Sequence, residues 1–225
     1  MKEALEIYER VDNTTGQARS LQYLAWLFFD DGELGAAEEA ASRAIKLLPN
    51  TGEQFEVCRC LRVLGLICHS KGETEAAANH LEAALRISSP FNWHSEQFWI
   101  HHAMSELFSD ENRLDDAHTH AEHAKSHAIN DPYLLGRAME LRAGLWNSES
   151  KFEEARSEAL RAAEIYEKIG AMEDAGDCRA ILRNIEEKMG EPDTSGESDP
   201  NGKPPEPVPH PTPANSLFPI LSAWH

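Results

Sequence analysis

The 225-residue sequence is short of positive charge, of cysteine, of long apolar runs and, through its first 190 positions, of proline. Its 21 Lys and Arg stand against 39 Asp and Glu, a formal charge of −18. A field of that sign repels phosphate backbones and anionic lipid, which argues against nucleic acid and membrane surfaces as partners. No apolar stretch approaches the roughly 18 to 20 residues that cross a bilayer. The opening "MKEALEIYER" is charged and amphipathic, without the apolar core of a signal peptide. Cys58, Cys60, Cys68 and Cys178 lack CxxC spacing and are too sparse for a disulfide scaffold. Free thiols in a reducing, cytoplasmic setting are expected. Also missing are a P-loop, a GxSxG elbow, a glycine-rich dinucleotide fingerprint and HExxH. Acidic pairs such as Asp30-Asp31 and Asp115-Asp116 fall in turns and at helix starts, where carboxylates cap free N–H groups. With Cys68 read as a packed thiol, the expectation is no catalytic site and no cofactor.

What is present is a period. Ala4, Ala44, Ala84 and Ala124 recur every 40 residues, as do Leu24, Leu64 and Met104, and Ala37, Ala77 and Ala117. Gly32 and Gly72 are followed at the same interval by Asn112, and Asn is the natural substitute where the chain needs positive φ. The three prolines before the tail, Pro49, Pro90 and Pro132, each read as closing a copy. Within a copy, "ARSLQYLAWLFFDDGELGAAEEAASRAIKLLP" predicts a helix to Phe29, a break at "DDG", and a second amphipathic helix to Leu48. Ala37, Ala41 and Ala44 share one face of that second helix and let its partner approach closely.

Leu64-Gly65, Gly72, Ala77, Leu81, Ala84 and the closing Pro90 resemble the tetratricopeptide repeat motif, and "LAWLFFDDGELGAAEEAASRAIKLLP" fits it with Ala25 in place of the first glycine. The 40-residue spacing is similar to the kinesin-light-chain variant. "FNWH", "AKSHAIND", "LGRAMEL" and "DCRAILRNIEE" look most like the C-terminal arrays of fungal NB-ARC or NACHT receptor-like proteins. The resemblance implies an all-α fold, a right-handed α-α superhelical solenoid of about four helix hairpins. Its expected parts are a partial repeat at 1–12, repeats at 13–49, 50–90, 91–131 and, divergent, 132–170, a capping helix at 171–190 and a disordered proline-rich tail at 191–225. In the fourth copy Ala155 follows Ala117 by 38 residues and "NSESK" replaces the glycine turn. Ala175, Cys178, Ile181, Leu182, Ile185 and Met189 mark the buried stripe of the cap. Residues 2–11 match only the end of a second helix. Either a short helix caps the array or the chain is a piece of something longer, the second favoured because Leu5, Ile7 and Tyr8 are too apolar for a solvent-facing end. In the tail, "GKPPEPVPHPTP" reads as a polyproline spacer and "SLFPILSAW" as a docking peptide or an unstructured end.

In two-helix solenoids the first helices line the concave binding surface. The stripes expected to face it are Arg19, Gln22 and Trp26; Arg59, Arg62, Leu66 and His69; and Trp99, His102 and Glu106. Three arginines in so acidic a chain suggest a groove with a basic first half and an aromatic second half. Such a groove suits a protein or peptide partner with acidic and apolar residues, because Arg pairs with carboxylates and stacks on rings. Arginines paired with nearby Glu and Asp are the plainer explanation. The Lys and Asn of a terminal-carboxylate clamp are absent: Gln22, Trp26, Arg62 and Leu66 occupy those places. In "FNWHSEQFWIHHAMSELF", Met104 and Phe108 are expected on the core face and Phe91 and Trp93 over a repeat junction. Self-association through an exposed N-terminal edge is a further expectation. His120, His123 and His127 form an i, i+3, i+7 stripe. The best reading is a solvated flank with no metal, the alternatives being a metal site and protonation below about pH 6.5. The functional expectation is an interaction scaffold; the alternative is a sensor segment of a larger nucleotide-binding receptor-like protein.

Overall fold

The structure, a computed structural model, describes residues 2–48 and 53–190. Pro49 and the tail from 191 to 225, with the readings attached to them, lie outside the described residues. Among the described residues there are ten helices and no strand: α1 Lys2–Arg10, α2 Thr14–Asp30, α3 Leu34–Leu47, α4 Gln54–Ser70, α5 Thr74–Ser88, α6 His94–Asp110, α7 Leu114–His127, α8 Pro132–Ser148, α9 Phe152–Ile169 and α10 Met172–Gly190. They form four hairpins, α2–α3, α4–α5, α6–α7 and α8–α9, flanked by α1 and α10. Each helix packs on the next in sequence. In addition α2 touches α4, α4 touches α6 and α6 touches α8, with no comparable contact among α3, α5, α7 and α9. The first helices therefore make a continuous inner layer, and the fold is an all-α stack of helix hairpins.

One bond pattern turns every hairpin. A residue at positive φ stands after the first helix in each: Gly32 at 77°, Gly72 at 75°, Asn112 at 56° and Ser150 at 60°. The N–H that follows reaches back to the helix: Glu33 to Phe28 O at 2.7 Å, Glu73 to Cys68 O at 2.8 Å, Arg113 to Phe108 O at 2.8 Å and Lys151 to Trp146 O at 2.9 Å. This left-handed cap satisfies carbonyls that the helix end would otherwise orphan. Ser150 takes the glycine's place in the divergent fourth copy. Starts are capped where side chains allow, with Asn13 Oδ1 accepting from Gly16 N at 2.8 Å and Asp131 Oδ1 from Leu134 N at 3.1 Å. Pro132 opens α8 instead of closing the preceding copy: its fixed φ and missing N–H suit the first helical position.

Close approach of the two helices is set by matched small and large residues. Gly65 faces Leu81, and a Cβ on Gly65 would lie 2.7 Å from Leu81 Cγ. Forty residues earlier the same two places hold Ala25 and Ala41, both fully buried. Forty residues later they hold Ser105 and Ala121, and Ser105 Oγ donates to Ala117 O at 2.8 Å. In the fourth hairpin Ala143 and Ala159 fill them. Ala37, Ala77, Ala117 and Ala155 are all 0% exposed, which lets the backbones pack at alanine distance in every copy. Met104 and Phe108 lie in the core of α6–α7, as their spacing predicts. On α10, Ala175, Cys178, Leu182 and Ile185 are buried, but the stripe ends before Met189, which is 42% exposed.

Gly65 and Leu81 should therefore be coupled. Gly65→Ala crowds Leu81 and Leu81→Ala leaves a void, whereas the double variant recreates the Ala25–Ala41 pairing. In urea unfolding the double variant is expected to be more stable than the sum of the single changes by about 0.5–3 kcal/mol; strict additivity would contradict this packing.

Candidate functional site

The inner layer is crossed by charged pairs that repeat with the hairpins. Arg19 on α2 donates from Nε to Glu56 Oε1 on α4 at 2.8 Å. One repeat on, Arg59 Nε is 4.0 Å from Glu96 Oε2, and Arg62 donates from Nε to Glu96 Oε1 at 2.6 Å. Lower on the same helices His69 Nε2 meets Asp110 Oδ2 at 2.9 Å. In the third copy the position equivalent to Arg19 and Arg59 is Trp99, and the charged pair gives way to apolar packing. Trp99 is 8% exposed and packs with Phe98, Ala124, Leu134 and Ala138. His102, 4% exposed, contacts Glu106 Oε2 through Nδ1 at 3.3 Å. Partial burial pushes the Glu106 carboxyl up, but His102 and Arg137 beside it prevail and hold it below the usual range. Arg137 donates to Glu140, which also accepts from the Tyr166 hydroxyl at 3.1 Å.

The expected groove residues are thus brought to one layer, but few of them are open. Arg19 is well exposed and Glu106 partly so, while Gln22, Arg62, Trp99 and His102 are buried. Trp26, Arg59, Leu66 and His69 are half-buried. Arg62 lies over the Trp26 ring, 5.2 Å from its centroid, so these two and Glu96 form a stacked, paired support. The plainer reading of the arginines, pairing with neighbouring carboxylates, describes all three.

The open surface is one residue away. Tyr23, Leu27, Phe55 and Phe91 are 38–45% exposed. Arg19, Tyr23 and Leu27 follow at i, i+4, i+8, one helical stripe over from the Arg19, Gln22, Trp26 line. Arg59 bridges two of these rings, 5.3 Å from the Tyr23 centroid and 5.8 Å from Phe55. Phe55 meets Trp93 edge-on at 5.0 Å, and Phe91 stacks on Trp93 at 4.3 Å, covering the junction between the second and third hairpins. The result is a strip of rings with an arginine set into it, running across α2, α4 and the start of α6. Sequence reasoning missed Tyr23, Leu27, Phe55, Glu56 and Glu96. Of these, Tyr23 and Leu27 carry a signal, their i+4 spacing from Arg19.

The histidine stripe is likewise larger than its sequence suggests. His101 of α6 points into it, with Nδ1 2.9 Å from His120 Nδ1, and His94 Nδ1 lies 3.4 Å from His127 Nδ1. Burial, then the neighbouring imidazoles, lowers His101 to about 3, and burial also lowers His120 and His127. Among the described residues no group of three or more His, Cys, Asp or Glu side chains is arranged to hold a metal ion. The four thiols are free and buried, and burial pushes Cys58, Cys60 and Cys178 up to about 12. They are protonated packing groups at neutral pH. No described helix is long and apolar enough to cross a membrane.

No family model matches the chain, and no curated protein matches it in sequence. Solved structures share its fold. BtubC (BKLC) from P. vanneervenii superposes with a TM-score of 0.62 at 15% identity, over 92% of this chain and 94% of that one. A Rap protein complexed with competence and sporulation factor gives 0.58 at 16% identity, over 84% and 57% of the two chains. Aspartyl phosphate phosphatase F from Bacillus subtilis gives 0.57 at 14% identity, over 82% and 53%. This chain spans little more than half the length of the last two. At these identities the likeness is one of fold, an all-α helical repeat.

Breaking the buried pair and breaking the exposed one should have different costs. Glu96→Ala strands the 5% exposed Arg62 and is expected to lower stability by about 3–5 kcal/mol. Removing the partner of the solvated Arg19 with Glu56→Ala is expected to cost about 1 kcal/mol or less. Chemical denaturation of both variants checks the contrast.

Proposed function

We propose that the chain is a tetratricopeptide-type interaction scaffold that binds a peptide or protein domain across its inner layer. The observation that carries this reading is the strip of Tyr23, Leu27, Phe55 and Phe91 with Arg19 and Arg59 among them. Exposed rings next to an arginine are the composition of binding hot spots, and they lose little side-chain entropy on contact. Ring faces offer apolar area, and Arg19 and the outer edge of Arg59 offer N–H donors, so the ligand chemistry is acidic and apolar residues in one segment. Beneath the strip Glu96, which accepts from Arg62, lies 4.0 Å from Arg59 Nε. The fold supports the reading, since the Rap protein that resembles it is seen complexed with competence and sporulation factor. We read the protein as non-enzymatic: among the described residues the buried Glu96 and Glu158 are paired with arginines and the cysteines are packed thiols. As a sensor segment of a larger nucleotide-binding receptor-like protein the repeats would use the same face.

A random peptide library selected on the full chain, with the best sequence measured by calorimetry, tests this. Tyr23→Ala with Phe55→Ala is expected to weaken binding about tenfold or more. Arg19→Glu should weaken acidic sequences selectively. A selected peptide that ignores all three changes while losing affinity to variants on α5 or α7 would overturn the assignment.

A further inference from the structure

Five of the eleven histidines meet at one place between α6 and α7, and the binding face proposed above uses none of them. His101, 6% exposed, is at the centre. Its ring centroid is 5.1 Å from that of His120, 5.0 Å from His123 and 5.6 Å from His127, the last pair stacked at 9°. His94, seven residues before His101 on α6, closes the other end against His127. We propose that this imidazole cluster is an acid-operated latch on the third hairpin, holding α6 against α7 when neutral and releasing them when protonated.

The bond geometry gives the reason. In the His101–His120 contact one Nδ1 donates a proton and the other accepts it, so the pair tolerates at most one added proton. With both rings as imidazolium, two N–H groups face each other at 2.9 Å and the bond is lost. The electrostatic neighbours of His101 are His120, His123 and His127, so each further proton repels the first. Compensating charge is thin. Glu82 on α5 and Asp116 on α7 favour protonation of His120, and Arg113 opposes it. On α4, Arg59 and Arg62 are engaged by Glu96, and His69 by Asp110. On α8, Arg142 is engaged by Glu122 and Glu158, and Arg137 by Glu140. On α6 itself His102 faces Glu106.

The sign follows from proton uptake. An imidazole lowered in the closed hairpin binds fewer protons there than in the opened one, so the closed form is favoured fully above about pH 6.5 and loses that advantage as pH falls toward the His101 value of about 3. At pH 5.5 a freed imidazole of ordinary pKa, about 6.5, is about ten times more protonated than neutral. Opening of the hairpin therefore rises about tenfold through His101, and His120 and His127, also lowered, add to it in the same direction. The response is local and the rest of the chain is largely spared, because carboxylates of ordinary pKa, about 4, stay ionised at pH 5.5.

Amide hydrogen exchange of the full chain at pH 7.5 and 5.5, corrected for the intrinsic pH dependence, separates the two. Exchange in α6 and α7 is expected to quicken about tenfold or more at pH 5.5, with α2 and α3 unchanged or slower. His101→Phe should lower that acceleration about tenfold, and His101→Gln serves the same comparison if the Phe variant does not fold. Unchanged protection of α6 and α7 in acid, loosening that is equal in α2 and α3, or an acid response undiminished without His101 would each overturn the latch.

Discussion

The structure depends on how closely the two helices of each hairpin approach. Fully buried alanines at the 40-residue interval leave room for backbone to face backbone, and at one contact the volume is shared out in three different ways. Gly65 with Leu81, Ser105 with Ala121, and an Ala–Ala pair used twice, Ala25 with Ala41 and Ala143 with Ala159, fill one space. A close-packed interior tolerates redistribution of volume better than a change in its total. Small residues at this contact in every hairpin let its two helices approach closely, and the hairpins stack through their first helices.

Stacking in turn decides the inner layer. Once α2, α4, α6 and α8 lie side by side, a residue on one first helix meets a residue 34 to 41 positions later on the next, as in Arg62 with Glu96, Arg19 with Glu56 and His69 with Asp110. The first two junctions use this contact for charge. The third uses it for Trp99 packed with Phe98 and Leu134. Buried pairs such as Arg62–Glu96 add little net stability over apolar packing, but they penalise any register that leaves one partner alone. Charged pairs therefore specify alignment, and the packing of Trp99 adds burial.

Much of the scaffold was legible in order along the chain. Turn positions followed from Gly32, Gly72 and Asn112, because only a few residue types accept positive φ. The alanine period located the second helices, and the break in it at "NSESK" located the divergent copy, where Ser150 keeps the turn. Exposure on the first helices was harder to read. These helices are packed on two sides, by their own hairpin partner and by the adjacent first helices, so they lack a single apolar stripe. Polar types do not mark the surface there: Gln22, Arg62 and His102 are buried, whereas Tyr23, Leu27 and Phe55 are open. Pro132 misled for a related reason, since a proline between two helices reads equally as an end or a beginning.

The sequence by itself determined the repeat, the helical hairpin, the glycine-like turns and the chain's strongly acidic field, because each rests on residues within one turn or one period. Only the tertiary structure decided which side chains remain available. Glu96 comes to Arg62 from 34 residues away, and His101 comes to His120 across the hairpin from 19 residues away. Such meetings depend on the offset and rotation of packed helices, and a shift of one residue, about 100° around a helix axis, is enough to exchange a buried side chain for an exposed one.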